Sequence, residues 1–83
     1  MPYSFSDGDA VVYNDKLHLL GGDDNPTKHY AYNGSTWSSE STLPYDFYWG
    51  GAVVYNNELD LLGGAGNKTG RYAIDGTLYK EVN

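Results

Sequence analysis

The stretch Ala10–Gly22, AVVYNDKLHLLGG, returns 42 residues later as Ala52–Gly64, AVVYNNELDLLGG. The correspondence runs outward in both directions. Pro2-Tyr3-x-Phe5 recurs as Pro44-Tyr45-x-Phe47, Tyr30-Ala31 as Tyr72-Ala73, and Gly34 as Gly76. Slid by 42, the chain aligns with itself over 41 positions without a gap, and 19 of them are identical. The 83 residues are therefore two units, 1–42 and 43–83, and an internal period of this size is the first thing to read in a sequence.

Each unit reads as four short strands. Ala10 to Tyr13 is an apolar run without polar alternation, the pattern of a strand buried on both faces. Asn14-Asp15 is a two-residue turn of residue types that tolerate positive φ. Leu17 to Leu20 follows, closed by Gly21-Gly22, and a polar loop from Asp23 to His29 leads to a third strand, Tyr30 to Tyr32. Asn33-Gly34 is a strong hairpin signal before a fourth strand from Thr36 to about Glu40. The second unit repeats this as Ala52–Tyr55, Leu59–Leu62, Tyr72–Ile74 and Thr77–Val82, with turns at Asn56-Asn57 and Asp75-Gly76. No window carries helical periodicity, so the chain is expected to be all-β.

Four strands in a period of about 40 to 50 residues are the signature of a β-propeller blade. The double glycines Gly21-Gly22 and Gly63-Gly64 close the second strands, and Tyr30 or Tyr32 and then Trp37 follow. In these features, which occur in order and twice, the chain resembles the kelch repeat along its whole length. It departs from that pattern in carrying Ile74 where the first unit has Tyr32, and Tyr79 where it has Trp37. The gap-free duplication and two-residue turns look like those of designed, symmetrised kelch-like propellers, a resemblance that implies rings of eight or nine blades. A recent natural duplication, or a fragment cut from a longer propeller, is the alternative.

Two blades leave two apolar sheet faces in water, with residues such as Val11, Val53, Leu19 and Leu61 on them. At about 25 cal/mol per Å² of apolar area, that costs many kcal/mol against a typical stability of about 5–15 kcal/mol. Because both units carry the same strands in the same order, the contact between units inside one chain can repeat between chains, head to tail, and close into a ring. The expectation is a cyclic homo-oligomer completing one propeller: a tetramer of eight blades first, a trimer of six second.

Composition narrows the function classes. Eleven acidic against five basic residues give a net charge of -6, which disfavours nucleic-acid backbones and anionic membrane surfaces as partners. There is no cysteine, which removes disulfides, zinc thiolates, a thiol nucleophile and the Cys-linked tyrosine of kelch-like oxidases. No apolar run reaches the roughly 18 residues of a membrane helix, and MPYSFSDGD lacks the basic and apolar regions of a secretory signal. No nucleophile elbow accompanies His18 and His29, and Arg71 is the only arginine, so no enzyme activity and no cofactor are expected.

The candidate binding residues lie on one loop face. Tyr48 and Trp49 replace Ser6 and Asp7 of the first unit and are exposed-aromatic candidates for a protein or glycan ligand. Asp23, Asp24, His29 and Arg71 belong to the loops of the same face. The repeated Tyr3, Phe5, Tyr45 and Phe47 are expected to pack between blades instead. His18 and Asp60 stand at equivalent mid-strand positions, where a polar side chain is unusual. A titrating or metal-holding ring there would need ligands closer than the roughly 10 Å between packed sheets. Asp23-Asp24-Asn25 offers oxygen ligands but matches no full calcium loop, and the second unit has Ala65-Gly66-Asn67, so no metal is expected. Asn33-Gly34-Ser35 and Asn67-Lys68-Thr69 match the glycosylation acceptor pattern, which without a signal segment reads as coincidence.

Overall fold

The alternation of short β-formers with Asn, Asp and Gly turns produces eight strands in a computed structural model that describes residues 1–75 and 78–82. They are β1 (Asp9–Tyr13), β2 (Lys16–Leu20), β3 (His29–Tyr32), β4 (Trp37–Ser39), β5 (Gly51–Tyr55), β6 (Glu58–Leu62), β7 (Arg71–Asp75) and β8 (Leu78–Glu81). Each unit is one antiparallel meander, β1-β2-β3-β4 and β5-β6-β7-β8, and the described residues include no helix. The repeat extends to register: His18 pairs with Val11 on one side and Ala31 on the other, as Asp60 pairs with Val53 and Ala73.

The hairpins β1–β2 and β5–β6 turn on Asn14-Asp15 and Asn56-Asn57, all four at positive φ between 55° and 64°. That left-handed pair matches the strand twist, and Asn and Asp tolerate it. The Asn33-Gly34 turn is longer than its sequence suggests. The Asn33 side-chain oxygen accepts from the backbone N–H of both Ser35 and Thr36 at 2.9 Å, so the loop spans 33–36 and β4 starts at Trp37, not Thr36. Gly76 and Thr77, which the sequence places in the corresponding turn and strand start, lie outside the described residues.

The first strand of each sheet is not buried on both faces. β1 alternates half-buried and exposed, and in β5 only Ala52 is buried. The reason lies in the packing of the sheets. The core is one cluster between them, formed by Leu20, Leu43, Phe47, Ala52, Leu59, Leu61 and Ile74, with Val11, Tyr13, Tyr45, Tyr72 and Tyr79 packed against it. Each sheet uses one face for this core and leaves the other outward, so every second residue of β1 meets no neighbour.

Candidate functional site

The two sheets contact each other with different faces. On the first sheet the inner face carries Val11, Tyr13, His18, Leu20, His29 and Ala31. On the second it carries Ala52, Val54, Leu59, Leu61, Tyr72, Ile74 and Tyr79. Moved back by 42, the second set becomes Ala10, Val12, Leu17, Leu19, Tyr30, Tyr32 and Trp37, which is the outer face of the first sheet. The joint is therefore heterologous: one face of the repeat packs on the opposite face of the next.

Backbone hydrogen bonds clip the joint at one end. Residues 43–49 cross the β2–β3 loop of the first sheet, where Leu43 N–H donates to the Thr27 carbonyl (2.9 Å) and Phe47 N–H to the Pro26 carbonyl (2.8 Å). Gly22 N–H donates to the Phe47 carbonyl (2.9 Å) and Trp49 N–H to the Asp7 carbonyl (2.8 Å). Gly21 is needed here, because a Cβ on it would lie 2.0 Å from the Phe47 carbonyl oxygen. Its φ of 64° is also one that L side chains rarely adopt. Further in, Asp9 accepts from Ala52 N–H (2.7 Å), and Tyr13 donates to the Asn57 carbonyl (3.2 Å).

A buried polar chain crosses the middle of the joint. His18 Nε2 meets the Tyr13 carbonyl (3.1 Å), and His18 Nδ1 meets His29 Nε2 (2.8 Å). His29 Nδ1 meets the Tyr79 hydroxyl (2.7 Å), which donates to the Ser41 carbonyl (2.5 Å). Both ends are carbonyls, which only accept. Four links need four protons, and neutral His18, His29 and Tyr79 carry three. Burial nevertheless disfavours a fourth. It pushes the His29 pKa down to about 4, with His18 beside it adding to the shift. It also lowers His18, against the pull of the Tyr13 carbonyl. Burial raises Tyr79, reinforced by Glu40, so that hydroxyl keeps its proton.

The open faces are the same two surfaces without a flanking sheet. Leu19 and Leu61, expected on exposed faces, are both buried, and Ala73 is buried on the outward face of the second sheet, because Tyr3 packs over Tyr30 and the neighbouring strands cover these central positions. At the margins, identical residues differ in burial according to whether a sheet flanks them. Leu20 is 0% exposed and its equivalent Leu62 39%; Leu59 is 0% and Leu17 37%. Phe47 is buried and Phe5 only partly so, although the rings pair alike: Tyr3–Phe5 at 5.9 Å and Tyr45–Phe47 at 6.0 Å. Tyr13 is half-buried and Tyr55 64% exposed. The outward face of the second sheet holds a shallow hollow of about 350 Å³ lined by Val53, Tyr55, Asp60, Leu62 and Arg71. In it Arg71 holds the buried Asp60 Oδ2 through Nε (3.2 Å) and Nη2 (2.9 Å).

The loop-face candidates separate. Trp49 is 68% exposed, Tyr48 lies edge-on to it at 5.6 Å, and Asp23 and Asp24 are exposed at the same end, where Asp23 N–H donates to the Ser6 carbonyl. His29 does not belong with them. It is the first residue of β3, and its side chain is buried in the joint. Arg71 begins β7 and turns to the outward sheet face rather than to a loop. The pairing of His18 with His29, and of Asp60 with Arg71, was not anticipated from the sequence. The signal present was that both polar intruders have a polar partner eleven residues on. Among the described residues no three His, Asp or Glu side chains gather as metal ligands. No protein-family model matches the chain, and no curated protein matches it.

Proposed function

We propose that the chain is a self-assembling building block whose two sheets are kelch-like blades. Copies join head to tail into a closed β-propeller, a tetramer of eight blades ahead of a trimer of six. The observation that carries this is the burial difference between equivalent residues: the open faces of one chain are the two halves of the joint it already contains. A second copy seated on the outward face of the second sheet can repeat the backbone bonds of the Phe47 segment and the Tyr13 contact with the numbers shifted by 42, although Gly51 has no carboxylate to repeat the Asp9 contact. Phe5 N–H reaches the Lys68 carbonyl, Gly64 N–H the Phe5 carbonyl, and Tyr55 the Asp15 carbonyl. Head-to-tail joining covers both faces of every copy once the ring closes. No catalytic role is part of this reading.

Complementation tests the direction of the contact. Leu17→Asp blocks the open face of the first sheet, and Leu62→Asp that of the second. Each variant alone is expected to be a folded monomer. Mixed, they are expected to form a heterodimer through the one undamaged pair of faces. If either variant alone self-associates, the contact is isologous and the head-to-tail reading fails.

A second reading rests on Trp49. An indole 68% exposed beside Tyr48, next to a hollow of about 490 Å³ lined by Trp49, Gly64, Ala65 and Lys68, suits a protein or glycan ligand on the rim of the assembled ring. Trp49→Ala leaves assembly intact on this reading and removes retention of the protein on a glycan array. Loss of assembly would assign Trp49 to the joint.

A further inference from the structure

The Asp60–Arg71 pair sits where the first sheet has His18–His29, and the residue that caps His18–His29 is known. Tyr79, from the outermost strand of the adjoining sheet, places its hydroxyl 2.7 Å from His29. Its equivalent 42 residues earlier is Trp37, on the outermost strand of the first sheet, half-buried and stacked against Tyr32 at 4.8 Å. We infer that Arg71 and Asp60 form the receptor for Trp37 of the neighbouring copy, so that the joint between chains is an Asp–Arg–Trp contact where the joint within a chain is His–His–Tyr. The inference rests on the head-to-tail assembly proposed above.

The chemistry of the substituted residues agrees. The His pair carries ring nitrogens that can hydrogen-bond with a hydroxyl, as His29 does with Tyr79. Guanidinium N–H groups only donate, and so does the indole N–H, so Arg71 and Trp37 have no hydrogen bond to share. What they can share is the π face. Asp60 holds Nε and Nη2 of Arg71 on one oxygen, which fixes the guanidinium plane, and a planar cation of this kind stacks on indole better than on any other side chain. Asp60 is buried under Arg71, so the guanidinium, about a third exposed, is the part of the pair that an incoming ring meets, as Tyr79 meets His29 rather than His18. All three positions are thus changed together, and the two joints of the ring have different chemistry. The internal joint depends on neutral imidazoles, the external one on an ion pair.

Fluorescence reads this directly. In a Trp49→Phe background Trp37 is the only tryptophan. Assembly is followed in parallel by light scattering across a dilution series. Trp37 emission is expected to shift to the blue as the oligomer forms. Arg71→Lys, which keeps the charge and loses the plane, is expected to weaken assembly about tenfold. A triple variant tests the pairing: Asp60→His with Arg71→His weakens assembly, and adding Trp37→Tyr restores it by copying the internal joint. If the oligomer forms while Trp37 emission stays constant, or if Arg71→Lys assembles as well as the parent, the Trp37 contact is wrong and the ring survives. If the parent protein stays monomeric at every concentration, both readings fall.

Discussion

Phe5 and Phe47 are one residue in two settings. Phe47 fills the space between the sheets and is part of the core cluster, while Phe5 waits at the open edge. Phe47→Ala removes a fully buried ring and is expected to cost about 3–5 kcal/mol, enough to unfold a small domain in urea titration. Phe5→Ala is expected to leave the single chain folded by circular dichroism while lowering its association. Equal effects of the two changes would show that the open edge is not a joint. The histidine pair has a pH signature. His29 keeps a pKa of about 4 when folded against its ordinary 6.5, so the unfolded chain takes up the proton first. Stability is therefore full above about pH 6.5, falls as the pH drops through the window to about 4, and loses at most about 1.4 kcal/mol per pH unit for this proton. Urea midpoints at pH 7.5, 6 and 5 measure it, and His29→Asn is expected to flatten that part of the slope. A midpoint that rises on acidification would mean that the fourth proton of the His18–His29–Tyr79 chain outweighs the burial.

At the scale of elements, the strand plan was legible because its signals are local. Four runs of β-formers with Asn-Asp, Asn-Asn and Gly-Gly between them repeat without a gap, and each observed strand lies within about two residues of its expected bounds. Asn33-Gly34 marks the β3–β4 hairpin as expected, but the Asn33 side chain captures two backbone N–H groups and lengthens the loop, so β4 starts one residue later. The partnership of position 18 with 29, and of 60 with 71, was not legible. It depends on which diagonal neighbours share a face across β2–β3 and β6–β7, and on what the adjoining sheet brings to them. The crossing segment 43–49 has its own equivalent at residues 1–7, where Ser6 and Asp7 accept backbone bonds within the chain but, among the described residues, Phe5 makes no counterpart of the two backbone bonds of Phe47. Gly63 shows it: a Cβ there meets only the Lys68 carbonyl at 3.5 Å, where one on Gly21 would strike Phe47. Gly63→Ala is expected to fold with a loss of about 1 kcal/mol from its φ of 62°, yet to stay monomeric in sedimentation. Gly21→Ala is expected to disrupt the fold itself.

At the scale of the whole molecule, two four-stranded sheets enclose one core and present two complementary faces. On the proposed head-to-tail assembly each chain is both a finished joint and the two halves of another, and a closed ring holds an even number of sheets, since each copy contributes two. The account's central claim is closure into one ring, and the native mass in solution tests it most directly. Light scattering after size exclusion is expected to give one species at four times 9.2 kDa, with three times 9.2 kDa marking the six-bladed ring. A single folded species at 9.2 kDa, unchanged from micromolar to millimolar concentration, would contradict it.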